Sequence, residues 1–377
     1  MRQLRLIFVS AFVIVSATVP VASAFAGGGP SHAAITITTN QDFATCMCVT
    51  SGSGTASSPY VIGPWSIKRP SGGSNGGWSV KVDNSKGTVT AFFDIVGITS
   101  AYDDANPADP DIWLVNVHNP TSIASGANGS TSTGGNANGV GVRLDNSSRI
   151  RLDSLSYNKS FGPGVFLNGS SDVTIDNSKL KAVNDERPNG DGVYAVNSSH
   201  IEIGTASTCP KSRACNDTTY DDGFAYDLVN THDVLINDAV AAANDTGGYL
   251  LDGPNTYNVT IQNSTASGLG PICSKEDTGV KHNSGYFTDL QGGLMLINGA
   301  HDNTFTNDSI QISGSAPMPS IGSGGNGFYV DACAGFVPVP FSPVEGNAGA
   351  GNVFNSVCYS LPTHYPGLPP SSTCKGG

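Results

Sequence analysis

Three stretches repeat one pattern: "GVRLDNSSRIRL" (141–152), "GVFLNGSSDVTI" (164–175) and "GVYAVNSSHIEI" (192–203). Each opens on Gly with an apolar–x–apolar triplet. Each then passes through Asn or Asp and small polar residues, and closes on a second alternating run. The beat continues as "GFAYDLVNTHDVLI" from Gly223, "GYLLDGPNTYNVTI" from Gly248, "GLMLINGAHDNTFT" from Gly293 and "GFYVDAC" from Gly327. The closest beats lie 23 residues apart, and the longer ones carry insertions.

A recurring unit of this length means a solenoid rather than independent domains. Strands of three to five residues are not stable alone. Stacked in parallel they pair along the whole axis, at ~4.8 Å per rung. The alternation sends Val142 and Leu144, Val165 and Leu167, and Leu294 and Leu296 inward. The first turn residues are Asp145, Asn168, Asn197, Asn230, Asp252, Asn298 and Asp331. Asn and Asp suit such corners because they tolerate left-handed backbone and bond their own turns. No amphipathic helix pattern lies between the strands, which argues against doubly wound α/β folds and leucine-rich repeats with helices. The expected fold is all-β: a single-stranded right-handed parallel β-helix with caps at both ends.

Working outward, "GSGTASSPYVIGPWSI" (52–67) and "GGWSVKVDNSKGTVTAFFDIVGI" (76–98) read as the first rungs, and residues 27–123 as N-terminal cap plus rungs. Residues 124–138, "ASGANGSTSTGGNAN", read as a flexible loop and 139–335 as the main repeats. Residues 336–377 are expected to cap the C-terminal end, since open strand edges need cover. The chain opens with a basic stretch, an apolar run and small residues up to Ala26. That order predicts a secretory signal at 1–26 and a secreted, cell-surface or periplasmic protein. Sequons at Asn146, Asn168, Asn197 and Asn258 fall on the turns, and turn chemistry explains them without glycosylation.

The formal charge is −12, and only 13% of residues are charged. An acidic surface argues against nucleic acid and anionic lipid as partners. Eight cysteines in an exported chain point to disulfides. Cys209 and Cys215 are close enough to clip one loop. Cys46, Cys48, Cys273, Cys333, Cys358 and Cys374 could form three more bridges in unspecified pairing. "CMC" at 46–48 reads as part of this set, with a soft-metal site for Cu(I) as the alternative.

The entry segment 52–67 followed by Gly-φ-x-φ…Asn-Ser-Ser…φ-x-Ile beats resembles the parallel β-helix proteins of the pectin-lyase-like superfamily. The likeness covers about residues 50–335 and is nearest the NosD-like and carbohydrate-associated branch. That superfamily includes polysaccharide lyases, glycoside hydrolases, tailspikes and non-catalytic proteins, so fold does not choose among them. "NGDG" with Asp191 and "YDDG" with Asp221 and Asp222 are similar to the Asn-Thr-Asp-Gly and Asp-Asp elements of polygalacturonases. That resemblance implies Asp222 or Asp191 as acid and another carboxylate, such as Asp221, as activator of water. The Gly-His-Gly turn and Arg-Ile-Lys segment of that family are absent.

The residues themselves leave three readings of these carboxylates. Asp-Gly pairs are ordinary tight turns in Gly-rich β-solenoids. Stacked carboxylates repel, which raises one pKa and supplies an acid and a base for hydrolysis; an inverting pair stands ~6.5–9.5 Å apart. Asp185, Asp191, Asp222 and Asp245 could instead supply oxygens to calcium. Arg187 near Asp191, and Arg143, are the cations within reach of a lyase reading. The middle residues of the triplets, Arg143, Phe166, Tyr194, Ala225, Leu250, Met295 and Tyr329, should face outward. Phe166 and Tyr194 there predict an aromatic-flanked groove on a monomer that binds or processes an extracellular polysaccharide. The rival expectations are a structural or adhesive envelope protein, and an accessory protein for metalloenzyme maturation.

Overall fold

The computed structural model describes residues 29–68, 77–101, 110–124, 140–160, 162–182, 191–204, 218–220, 224–242, 247–269, 292–297, 299–312, 328–330, 347–350, 353–354 and 358–359. The signal segment, the loop after Ala124, Asp185, Arg187, Asp221, Asp222, Asp245, Cys209, Cys215, Cys273, Cys333 and Cys374 lie outside these residues.

Among the described residues the chain is all-β apart from one short helix, Asn40–Thr45. Successive strands feed separate sheets in turn and then return. Val142–Asp145, Ser148–Asp153 and Ser156–Ser160 make one circuit; Val165–Asn168, Ser171–Asp176 and Lys179–Ala182 make the next. Each strand pairs in parallel with its counterpart one circuit on. Two 11-stranded stacks and one of seven result, with a three-stranded stack near the N-terminus. This is a β-helix-like solenoid arrangement. The sequence anticipated two strands per beat. The third, represented by Tyr157, Leu180, Ala241 and Ala266 as buried residues, carried too little alternation to be read.

The core is the set of inward rows. Val142, Val165 and Val193 form one column with Tyr226 and Tyr249, and Leu144, Leu167, Ala195, Leu228 and Leu251 form the next; all are buried. Tyr226 and Tyr249 stack face to face inside, centroids 5.3 Å apart.

The Asn-Ser-Ser signature has a physical basis in three consecutive positions. Asn146, Asn197 and Asn230 are left-handed at the corner, with φ of 46°, 50° and 48°. The following Ser147, Ser170, Ser198 and Thr231 are buried and form a ladder. The amide N–H of Ser147 donates to Ser170 Oγ at 3.1 Å, that of Ser170 to Ser198 Oγ at 3.1 Å, and that of Ser198 to Thr231 Oγ1 at 3.3 Å. Each hydroxyl donates to a carbonyl in turn, as Ser170 Oγ does to Leu144 at 3.1 Å. Ser170→Ala therefore strands a buried N–H. It is expected to cost about 1–3 kcal/mol, measured as a lower urea midpoint, whereas Ser171→Ala on the half-buried neighbour should change little.

The left-handed positions also correct the turn assignment. In the beats containing Asp145, Asn168 and Asp252, the corner falls one residue later, on Asn146, Gly169 and Gly253. Asp145, Asn168 and Asp252 instead end their strands.

At the N-terminal end, Asp42 Oδ2 accepts from the amides of Thr38 (2.6 Å) and Thr39 (2.8 Å) and fixes the helix start. Phe43 from that helix is buried against Tyr60 and Phe93. Cys46 and Cys48 are joined to each other in a disulfide. A Cu(I) site needs both sulfurs as thiolates, so the soft-metal alternative does not apply to this state. At the other end "GFYVDAC" does not add a further parallel rung. Phe328–Val330 pairs antiparallel with Gly292–Ile297, and Cys358–Tyr359 pairs antiparallel with it in turn. An antiparallel strand breaks the slanted parallel ladder and so closes the stack.

Candidate functional site

The outward row of one 11-stranded stack collects one side chain per circuit. In register these are Lys81, Trp113, Arg143, Phe166, Tyr194, Asp227 and Leu250. All but Leu250 are half-buried. Their faces fill one another. Lys81 Nζ lies 4.9 Å from the Trp78 ring centre and 4.0 Å from that of Trp113. The Arg143 guanidinium sits 5.2 Å from Trp113 and 5.1 Å from Phe166. Phe166 and Tyr194 stack at 5.2 Å with planes 9° apart.

The sequence expectation that Phe166 and Tyr194 face outward together is met, but their faces are not turned to solvent. Rings stacked from rung to rung present their edges outward. Any ligand lying on this row meets ring edges, the Arg143 guanidinium edge and the Lys81 ammonium rather than open π-faces.

The cations are matched within the row beside it. Arg143 Nε and Nη2 donate to the two oxygens of Asp145 at 2.7 and 3.1 Å. Trp113 Nε1 (2.6 Å) and Asn168 Nδ2 (2.9 Å) also donate to Asp145. Burial raises the Asp145 pKa, but the bonds from Arg143, Asn168 and Trp113 outweigh it and hold the carboxyl below its ordinary value. Lys81 pairs with Asp83 at 3.1 Å. Arg143 is thus a structural cation and not a free base.

The far end of the row is acidic. Asp191 precedes its strand and is only 5% exposed. Its Oδ1 accepts the Phe224 amide at 2.8 Å. Burial pushes its pKa up to about 7, with that amide pulling the other way. Asp227 lies beside Tyr194, one circuit on. Its Oδ1 is buried with no hydrogen-bond partner. Burial first, then the charges of Asp191 and Asp252, push its carboxyl well above the usual range. Asp252, 6% exposed, ends the following strand. Both carboxyls are therefore shifted toward the protonated form, Asp191 to about 7 and Asp227 well above its ordinary range. Buried carboxyls that repel one another and have raised pKa values are the kind of groups that acid–base chemistry uses.

Asp227 and Asp252 were not singled out from sequence. Aligning on Gly223 put Ala225 opposite Tyr194 and Asp222 opposite Asp191. The structure pairs Val193 with Tyr226, so Asp227 lies opposite Tyr194, and Phe224 opposite Asp191. Ala225 is fully buried. The available signal was the corner: counting back from Asn230 as from Asn197 gives the observed register. Of the residues proposed for calcium, Asp191 alone is described, and among the described residues no three His, Cys, Asp or Glu side chains are grouped to hold a metal ion.

A second ring ladder, His232, Tyr257 and His301, runs along the corner entering the other 11-stranded stack, with centroids 4.7 and 5.4 Å apart. His232 Nδ1 lies 2.8 Å from Asp233 Oδ2, and His301 Nδ1 2.8 Å from Asp302 Oδ2. It too is satisfied internally. Among the described residues no helix is long and apolar enough to cross a membrane. No protein-family model, curated protein or solved structure matches the chain.

Proposed function

We propose that the chain is a right-handed parallel β-helix, exported by its N-terminal segment, that binds and hydrolyses an extracellular polysaccharide on the face ending at Asp191 and Asp227. The circuit of strands supports a single solenoid, and parallel crossovers are right-handed in about 98% of cases. The observation that carries the activity is the pair of buried carboxyls, Asp191 and Asp227, whose charges act on each other and whose pKa values are both raised, beside a half-buried row. In this reading Asp227 protonates the leaving oxygen, and Asp191, once ionised, activates water.

The test is a polysaccharide panel assayed with the secreted chain for new reducing ends and for unsaturated products. Reducing ends without unsaturation are expected. Asp227→Asn should remove turnover by about 10²–10⁴-fold while leaving folding intact, because the amide mimics the neutral acid. Unsaturated products would replace hydrolysis with elimination, and full activity in Asp227→Asn would remove this residue from the chemistry.

One observation favours a second reading. The ring and cation faces of the outward row are occupied by one another, which stiffens the surface without any ligand. A non-catalytic envelope protein would keep that ladder and show no turnover on any substrate of the panel.

A further inference from the structure

We propose that the Cys46–Cys48 disulfide is a thiol–disulfide exchange site, which passes its sulfur–sulfur bond to a pair of cysteine thiols on another polypeptide. The site stands at the N-terminal end of the solenoid and is independent of the polysaccharide reading.

The bond closes a loop that holds Met47 alone. A crosslink steadies a fold by restricting the unfolded chain, and the restriction grows with the loop, so this one ties no distant parts together. Both cysteines are anchored without it. The Cys46 amide donates to the Asp42 carbonyl at 2.9 Å, and Trp65 Nε1 donates to the Cys48 carbonyl at 2.8 Å. The bond can therefore open and re-form within a standing frame.

The two cysteines differ in access. Cys48 is fully buried and Cys46 half-buried. Cys46 lines an open groove of about 530 Å³ together with His32, residues 33–36 and Met47. Met47, 86% exposed, offers a flexible thioether chain of the kind that adapts to varied partner chains. His32 supplies a base. Its Nδ1 lies 2.6 Å from the Ala33 carbonyl oxygen. A carbonyl only accepts, so Nδ1 carries the proton and the neutral ring keeps its lone pair on Nε2. That nitrogen can take the proton of an incoming thiol.

The exchange balances. The client thiol gives its proton to His32, and its sulfur attacks Cys46 Sγ. The Cys46–Cys48 bond breaks as the mixed disulfide forms, and Cys48 leaves as a thiolate that takes up a proton. The client's second thiol, losing its proton, attacks the client sulfur of the mixed disulfide. Cys46 then leaves as a thiolate, which the Cys48 amide N–H, 3.2 Å from its sulfur, helps to stabilise before it too is protonated. The client has lost two electrons and two protons, and the cysteine pair has gained them.

The test mixes the full chain with a reduced peptide bearing two cysteines, quenches with iodoacetamide and maps the labelled cysteines by mass spectrometry. Cys46 and Cys48 are expected to be labelled about tenfold faster than any other disulfide-bonded cysteine of the chain. The peptide should be oxidised in equal amount while tryptophan fluorescence stays native. A peptide with a single cysteine should be captured on Cys46. His32→Gln should slow transfer about tenfold at pH 7, and the gap should close at pH 9, where thiols of pKa about 8.5 ionise unaided. Met47→Ser should slow the peptide about threefold and leave dithiothreitol unaffected. Reduction only in urea, or loss of native fluorescence on reduction, marks a structural crosslink and overturns the proposal. Capture on Cys48 overturns the assignment of Cys46 as the attacked sulfur, and an unchanged rate at pH 7 in His32→Gln overturns the base. An equal effect of Met47→Ser on both reductants replaces the polypeptide partner with a small thiol.

Discussion

Asp191→Asn is expected to abolish turnover and, at the same time, to make the protein more stable at pH 8. The two effects have one cause. The Asp191 carboxyl is buried and its pKa is pushed from 3.8 up to about 7. Between those values the native state holds a proton that the unfolded chain has already lost. Fewer protons on the unfolded chain means that stability falls as pH rises through this window, then levels off above about 7. The penalty is on the order of 4 kcal/mol. The amide carries no charge at any pH and retains an oxygen to accept the Phe224 N–H. Urea unfolding at pH 4 should therefore give similar stabilities for the two proteins. At pH 8 the variant should be more stable by up to about 4 kcal/mol, with activity lower by about 10²–10⁴-fold. A parallel pH dependence in both proteins would show that Asp191 does not titrate in this window.

The second large effect is in the core. Tyr226 is 1% exposed and stacks on Tyr249 with planes 8° apart. Tyr226→Ala removes the ring from a column whose other members are bonded into a sheet and cannot close over the space. A loss of about 3–5 kcal/mol is expected, with the ring–ring term adding to the hydrophobic one. Tyr226→Phe keeps the stack and should recover most of it. In a stacked array the damage should be local: hydrogen exchange should quicken first in the strands at 224–229 and 247–252 and spread outward. A loss below about 1 kcal/mol would mean that neighbouring circuits collapse into the gap.

Much of this architecture was legible because two sides of each circuit carry strict alternation, as in Val142-Arg143-Leu144 and Ile150-Arg151-Leu152. The third side was not. Its strands bury few residues each, such as Leu180 in "KLKA" or Ala241 in "VAA", and a single apolar residue has no period. The candidate site was half legible. Asp191 stood out because it breaks the pattern before its glycine, and Phe166 and Tyr194 because they occupy an outward position. Asp227 was hidden by an error of two residues. A shift of two preserves the inward–outward alternation, so hydrophobicity raised no objection to it. Only the backbone distinguishes the alternatives: Asn230 takes the left-handed corner as Asn197 does, and that corner sets the register. The matching of Arg143 by Asp145 was legible in principle, since residues two apart on a strand share a face. Their neighbours Trp113 and Asn168 come from adjacent circuits, which only the register supplies.

The outward row has a consequence for how such a surface changes over generations. Each circuit contributes one side chain to it, while the inward columns stay apolar and the hydroxyl ladder repeats from circuit to circuit. Duplicating or deleting one whole circuit inserts or removes a single character of the face and leaves the hydrophobic interior in phase. The surface is therefore edited as a text is, letter by letter, on a binding that does not depend on what is written.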